Sequence, residues 1–287
     1  MTTKSVTETT AHHATNISDA LSPAGWRLIP LVIFNEAYKS LLIQWSYRFN
    51  LLMESIMLIF LFLGITFFVG NGELDPTRLP PSLLGFVVTF YAMLAISTMA
   101  YNLQQEAQQG TLEQWYMSPA PTSIVQFGRT LATFIVTTVT LLPVVIPIMW
   151  GFQIDLPWRW AAIPVFLIIL LGVYGFGFFV GGAALLFKQI GPLANMVQNM
   201  LLFLNGSFVP VERFPDWLAA VAYTLPTSQG IILLRRIILD DESLIALWRD
   251  GSLLWLTVHS TIYLTVGLIV FGYAERLAKR RGLLGQY

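Results

Sequence analysis

The stretch "QQEAQQGTLEQWYMSP", Gln104 to Pro119, separates two apolar runs, 83–103 and 124–150, each long enough to cross a bilayer. A helix needs roughly 20 apolar residues to traverse ~30 Å of hydrocarbon. A polar, acidic, proline-closed interruption between two such runs therefore reads as a connection in water. Composition supports this reading across the chain. Of its 287 residues 55% are hydrophobic and only 11% are charged, against about 25% charged in an ordinary soluble domain. Backbone groups in lipid must be satisfied within their own segment, and these runs are too uniformly apolar for the alternating strands of a barrel. The fold class is an all-α integral membrane protein.

Six transmembrane helices are expected, at about 51–70, 83–103, 124–150, 161–187, 190–209 and 252–273. Residues 1–25, rich in Thr, Ser and Ala without an apolar centre, read as a flexible cytosolic tail, and 26–287 as one six-span domain. Ahead of the first span, "GWRLIPLVIFNEAYKSLLIQWSYRF" mixes apolar residues at helical spacing with Arg27, Glu36, Lys39 and Arg48, which suits an amphipathic helix in the interface. Between spans 5 and 6, Pro210 to Gly251 holds the apolar pieces "WLAAVAYTL" and "GIILL", both too short to cross. They read as re-entrant or interfacial helices, with Pro215, Trp217, Tyr223 and Pro226 as landmarks. With the N-terminus inside, Lys4, Arg27, Lys39, Arg48, Arg129, Lys188, Arg276, Lys279, Arg280 and Arg281 fall on the cytoplasmic side, ten of the sixteen basic residues. That bias places both termini in the cytoplasm of a multi-pass protein of the plasma or inner membrane.

Several chemistries are missing from the sequence. There is no G-x-x-x-x-G-K-[ST] phosphate loop, no H-E-x-x-H and no cysteine, and three histidines make a poor basis for a metal site. His12 and His13 lie in the tail, and His259 within span 6 reads as a packing residue. A formal net charge of zero argues against nucleic acid as a partner. Glu54, near the cytoplasmic end of span 1, is expected to pair with Arg48 at the headgroups. Spans 1 to 3 and 4 to 6 share no pattern, unlike the inverted repeats of many secondary transporters. Span 5 is unusually polar: Asn195, Gln198, Asn199 and Asn205 fall along one helical face. They read either as interhelical hydrogen-bonding residues or as a stripe facing a substrate path, with Tyr91, Ser97 and Tyr101 of span 2 as companions.

"GTLEQWYMSP" resembles the signature of the ATP-binding-cassette type-2 permease family. "LNGSFVPVERFPDWLAAVAYTLPTSQGIILLRR" is similar to that family's segment between spans 5 and 6, and "YAERLAKRRGLLGQY" to its C-terminal ending. The resemblance covers nearly everything from Trp26 onward. It implies a cytosolic coupling helix between spans 2 and 3, carried by Gly110, Thr111, Leu112, Glu113, Trp115, Tyr116 and Pro119. It implies the permease subunit of an exporter that works as a dimer on an amphipathic drug, lipid or glycan-type cargo. Two separate ATPase subunits would bind the ATP and magnesium, with no cofactor in this chain and no enzymatic activity of its own. Gln108 and Gln109 depart from the charged residues common before the Gly-Thr-Leu-Glu run. The residues agree with a short helix here: Gly110 can end span 2, Thr111 can cap, Glu113 sits near the positive dipole end, and Pro119 blocks extension. Leu112, Trp115, Tyr116 and Met117 then form an exposed apolar side. The rival reading is a secondary transporter or channel that works without an ATPase.

Overall fold

A computed structural model describes residues 23–108, 122–187 and 190–280, and every regular element among them is helical. In chain order these are α1 (Pro23–Ser46), α2 (Arg48–Val69), α3 (Leu79–Gln108), α4 (Thr122–Gly151), α5 (Ala162–Leu186), α6 (Gly191–Leu204), α7 (Asp216–Thr224), α8 (Pro226–Ile238), α9 (Leu244–Arg249) and α10 (Ser252–Arg280). The 3₁₀ turn Val211–Arg213 precedes α7. Five of these helices hold stretches long and apolar enough to cross a membrane, namely Arg48–Val69, Leu79–Tyr101, Ala132–Gly151, Ala162–Leu186 and Ser252–Ala278.

The expected span at 190–209 differs from the rest. Its helix runs only from Gly191 to Leu204, 14 residues, or about 21 Å, which falls short of the ~30 Å hydrocarbon thickness. The chain beyond it leaves helical geometry but stays inside the protein, with Asn205, Ser207 and Phe208 all buried. Irregular backbone at membrane depth is tolerated where protein supplies its hydrogen bonds. The pair α7–α8, bent by 86° at Leu225, counts as a sixth crossing only if taken as one broken span. Leu225 is extended, as a residue before proline tends to be, and Pro226 opens α8.

The core is centred on α5. One group of buried side chains joins Ala92 and Ile96 of α3, Ile169 and Val173 of α5, Ile231 and Leu234 of α8, and Leu256 of α10. A second joins Phe62 of α2, Phe86 of α3, Val144 and Ile148 of α4, and Phe208. Phe62 and Phe86 have ring centroids 5.3 Å apart. The closest helix contact is between α5 and α10. A Cβ on Gly175 would lie 2.3 Å from the Leu264 backbone nitrogen, and one on Gly267 would lie 1.9 Å from the Gly175 carbonyl oxygen. Small residues allow this approach, and van der Waals packing is the chief adhesive between helices in lipid.

The N-terminal helix α1 ends at Ser46, with Tyr47 as a joint to α2. It packs along α4 and leaves Phe34, Tyr38, Leu42 and Trp45 exposed.

Candidate functional site

Three regions carry the residues singled out from the sequence. The first is the polar stretch. Gly110, Thr111, Leu112, Glu113, Trp115, Tyr116 and Pro119 lie outside the described residues, but the helices on either side are described. α3 runs on to Gln108 and α4 begins at Thr122, so the stretch from 109 to 121 lies between the end of one long helix and the start of the next.

The second region is the set of polar residues on α3 and α6. The Tyr101 hydroxyl donates to Asn195 Oδ1 at 2.9 Å, tying the two helices together. Asn195 and Asn199 are exposed on one side of α6 with Met196, Met200 and Phe203, while Gln198 is buried. Ser97 is half-buried. Tyr91 lies inside the chain's own packing: its hydroxyl is 2.6 Å from Thr138 Oγ1 of α4, and its ring stacks on Phe134.

Asn205 is also enclosed, and it organises a feature that the sequence did not reveal. Its Nδ2 donates to Thr89 Oγ1 at 2.5 Å, and its Oδ1 accepts from the Ser207 amide at 3.1 Å and hydroxyl at 2.6 Å. Arg235 of α8 donates to the Ser207 carbonyl at 2.8 Å and to the Pro81 carbonyl at 2.9 Å. Gly85 leaves the space for this, since a Cβ there would sit 2.6 Å from Ser207 Cα. The N-terminal part of α3, the break after α6 and α8 are thus joined by one buried polar cluster. Its only sequence signal was an amide close to a glycine, "LNGSF", at the end of a short apolar run.

The third region is the segment between α6 and α10. Trp217 is 70% exposed at the start of α7, Pro215 is exposed, Tyr223 is half-buried and Pro226 is fully packed. If α7 rests at headgroup depth, lipid-attached quenchers should suppress Trp217 fluorescence in a variant lacking the other tryptophans. Quenching by aqueous iodide alone would instead make the segment a water-exposed loop.

Beyond α8 the chain is clamped by Arg236. Its guanidinium donates to both Glu242 oxygens, at 3.0 and 2.7 Å, and to Asp250 Oδ2 at 2.6 Å. Hydrogen bonds from the Ser252 hydroxyl and amide, followed by the Arg236 contact, hold the Asp250 carboxyl down at about 2. A carboxyl depressed in the folded state stabilises it fully above the ordinary value of 3.8, and that contribution is lost as pH falls through about 2. Amide-exchange protection factors over residues 240–252 should therefore hold down to pH near 4 and fall only below it. In Ser252→Ala the fall should begin at higher pH. An identical profile for wild type and variant would show that the Asp250–Ser252 contact does not hold this turn.

Two expectations about single residues are now resolved. Glu54 makes no ion pair with Arg48 within 4.0 Å among the described residues. Burial explains why: Arg48 and Glu54 are both exposed, with no protein packing to bring them together. His259 packs over Trp255, with its Nδ1 3.0 Å from the Trp255 carbonyl oxygen and ring centroids 3.9 Å apart.

The ABC-2 type transporter model matches residues 31–239, a range that contains the polar stretch, the Asn205 cluster and α7–α8. The chain belongs to the ABC-2 type transporter family. Two relatives of this ABC-2 protein come from Escherichia coli strain K12. It is similar to the probable multidrug ABC transporter permease YbhR, with 29% identity over 173 residues, 59% of this chain and 46% of the relative. It is also similar to the inner membrane transport permease YhhJ, with 24% identity over 209 residues, 70% of this chain and 53% of the relative. The chain thus spans about half the length of the curated relatives it matches.

Proposed function

We propose that this ABC-2 protein is the translocating subunit of an exporter, paired with a second copy of itself and driven by two separate ATPase subunits. The observation that carries the reading is the family match across residues 31–239. On this reading the driving force is delivered by the ATPase subunits. The polar stretch 109–121, between α3 and α4, is the place of delivery on this reading. Shifting a transporter from 1:99 to 99:1 between two states takes roughly 5.5 kcal/mol of differential binding, which ATP on the partner would supply.

On this reading Asn195 and Asn199 face the path, together with Ser97 and the apolar side of α6, while Tyr91 and Asn205 shape it from within the protein. The exposed face of α6 suits either the cavity or the second permease copy. A cargo that is amphipathic fits this mixture of amides, methionines and phenylalanine. The name of one relative, a probable multidrug permease, points in the same direction. Both termini would lie in the cytoplasm, following the placement of Lys and Arg.

Reconstitution tests the class directly. Proteoliposomes carrying the chain and its ATPase should move a fluorescent amphiphile only when ATP is hydrolysed, and the chain alone should move none. Gradient-driven flux by the chain alone would assign it to the secondary transporters or channels instead.

A further inference from the structure

Helix α6 has one main neighbour. Among the described helices it packs along α3 and touches the others only marginally. Its buried residues are Ala194, Gln198, Leu201 and Leu202, which share a single helical face. The apolar part of this contact places Ala194 and Leu201 in one buried group with Ala92, Ile96 and Ala100 of α3. Helical geometry is lost on both sides of α6. Phe187, at the end of α5, is extended, and Gly206 takes a left-handed conformation with a φ of +77°, which glycine adopts without strain. A Cβ at Gly206 would also lie 2.7 Å from Val211 Cγ2. What holds α6 in place must therefore come from α3 rather than from the chain on either side.

Polar bonds to α3 close both ends of the contact. At one end the Tyr101 hydroxyl donates to Asn195 Oδ1 at 2.9 Å. The Tyr101 ring lies against the first turn of α6, since a Cβ on Gly191 would be 3.5 Å from its Cε1. At the other end Asn205 Nδ2 donates to Thr89 Oγ1 at 2.5 Å, and the Thr89 proton goes to the Gly85 carbonyl at 2.7 Å. Thr89 and Tyr101 are separated by about 18 Å along α3, and Asn195 and Asn205 by about 15 Å along α6. The near match means that the two bonds bracket most of the length of α6. Apolar packing alone lets one helix slide or roll on another, whereas two directional bonds at opposite ends do not.

We infer that α3 and α6 form one rigid body, with Tyr101 and Thr89 as the positioning residues that fix α6 on it. For its use in transport the inference rests on the exporter reading. The face of α6 that carries Met196, Asn199 and Met200 then keeps its position relative to α3 whatever displacement α3 receives from residues 109–121, and the path opens between this body and other helices. Asn195 brings only its Nδ2 to the path, because its carbonyl oxygen is held by Tyr101.

Hydrogen exchange on the full chain in nanodiscs tests the body without any ATPase. Tyr101→Phe and Asn195→Leu should each lower amide protection over residues 191–204 about fivefold, the scale of one hydrogen bond, and leave residues 252–280 unchanged. The double variant should lose no more than either single one, because both remove the same bond. Thr89→Val should lower protection by about tenfold or more, since the buried Asn205 amide loses its acceptor. Unchanged protection in Tyr101→Phe, or losses that add in the double variant, would overturn the inference. The sequence contains no cysteine, so an introduced pair of thiols can be bridged cleanly. In Tyr101→Cys with Asn195→Cys, ATP-driven flux should fall severalfold below wild type while the thiols are free and recover when a reducible bis-methanethiosulfonate links them. A bridge that abolishes flux or fails to restore it would overturn the inference, and so would wild-type flux with free thiols. If the wild-type chain moves nothing with ATP, the exporter reading fails, and the exchange data still decide whether α3 and α6 are one body.

Discussion

Replacing Gly175 with leucine should leave the chain unable to reach its folded state. The added Cβ would lie 2.3 Å from the Leu264 nitrogen and 2.4 Å from its Cα, so the clash is with backbone, which cannot rotate away like a side chain. Gly267 meets the same strand of contact from the other side, with its added Cβ 1.9 Å from the Gly175 carbonyl oxygen. Relief would require α5 and α10 to separate along their whole shared length. The cost should exceed the ~1–3 kcal/mol of ordinary overpacking. Detergent extraction followed by size-exclusion chromatography should yield aggregated Gly175→Leu protein. Gly64→Leu is the control, because nothing lies within 4 Å of a Cβ there, and it should behave as wild type. Wild-type thermal stability in Gly175→Leu would show that the two helices do not meet as described.

The double change Trp115→Ala with Glu113→Ala should leave the protein inserted and stable while abolishing ATP-driven transport. On the proposed function these residues meet the ATPase subunit, Trp115 as the aromatic anchor and Glu113 chiefly for orientation. Large aromatic residues in desolvated grooves dominate interface energies, and their truncation commonly costs 2 kcal/mol or more, about thirtyfold in affinity. Co-purification of the ATPase on the tagged permease, together with flux in proteoliposomes, measures both effects. Wild-type recovery of the ATPase with undiminished flux would mean that the polar stretch contacts something else, such as the headgroup region.

Sequence patterns carried the membrane class and most of the long helices, because burial in lipid demands uninterrupted apolar length and leaves an unmistakable record in composition. The same criterion was less informative at 190–209. Apolar character persists through "LLFLNGSFVP", yet the helix stops at Leu204, because the backbone there is satisfied by side chains of distant elements. Thr89, Ser207 and Arg235 come together from positions 118 and 28 residues apart, a relation no local pattern can express. The polar stripe was legible as a row of amides, but not its division into exposed Asn195 and Asn199 and enclosed Gln198 and Asn205. That division depends on which side of α6 the neighbouring helices cover.

The length of α3 has a mechanical consequence. From Phe86 to Gln108 it contains neither proline nor glycine, the usual causes of a sharp kink. Its first third is bonded through Pro81 and Thr89 to Arg235 and Asn205, and its other end leads directly into the stretch proposed to meet the ATPase. A rod about 45 Å long with no hinge along most of its length cannot absorb a displacement at one end. Tilting it by 10° about a pivot near the middle would displace Pro81 by about 3 Å, more than its 2.9 Å bond to Arg235 could stretch to follow. The cluster would therefore break or move as a body, so that force applied at the Gln108 end of α3 reaches its Pro81 end through a single stiff strut.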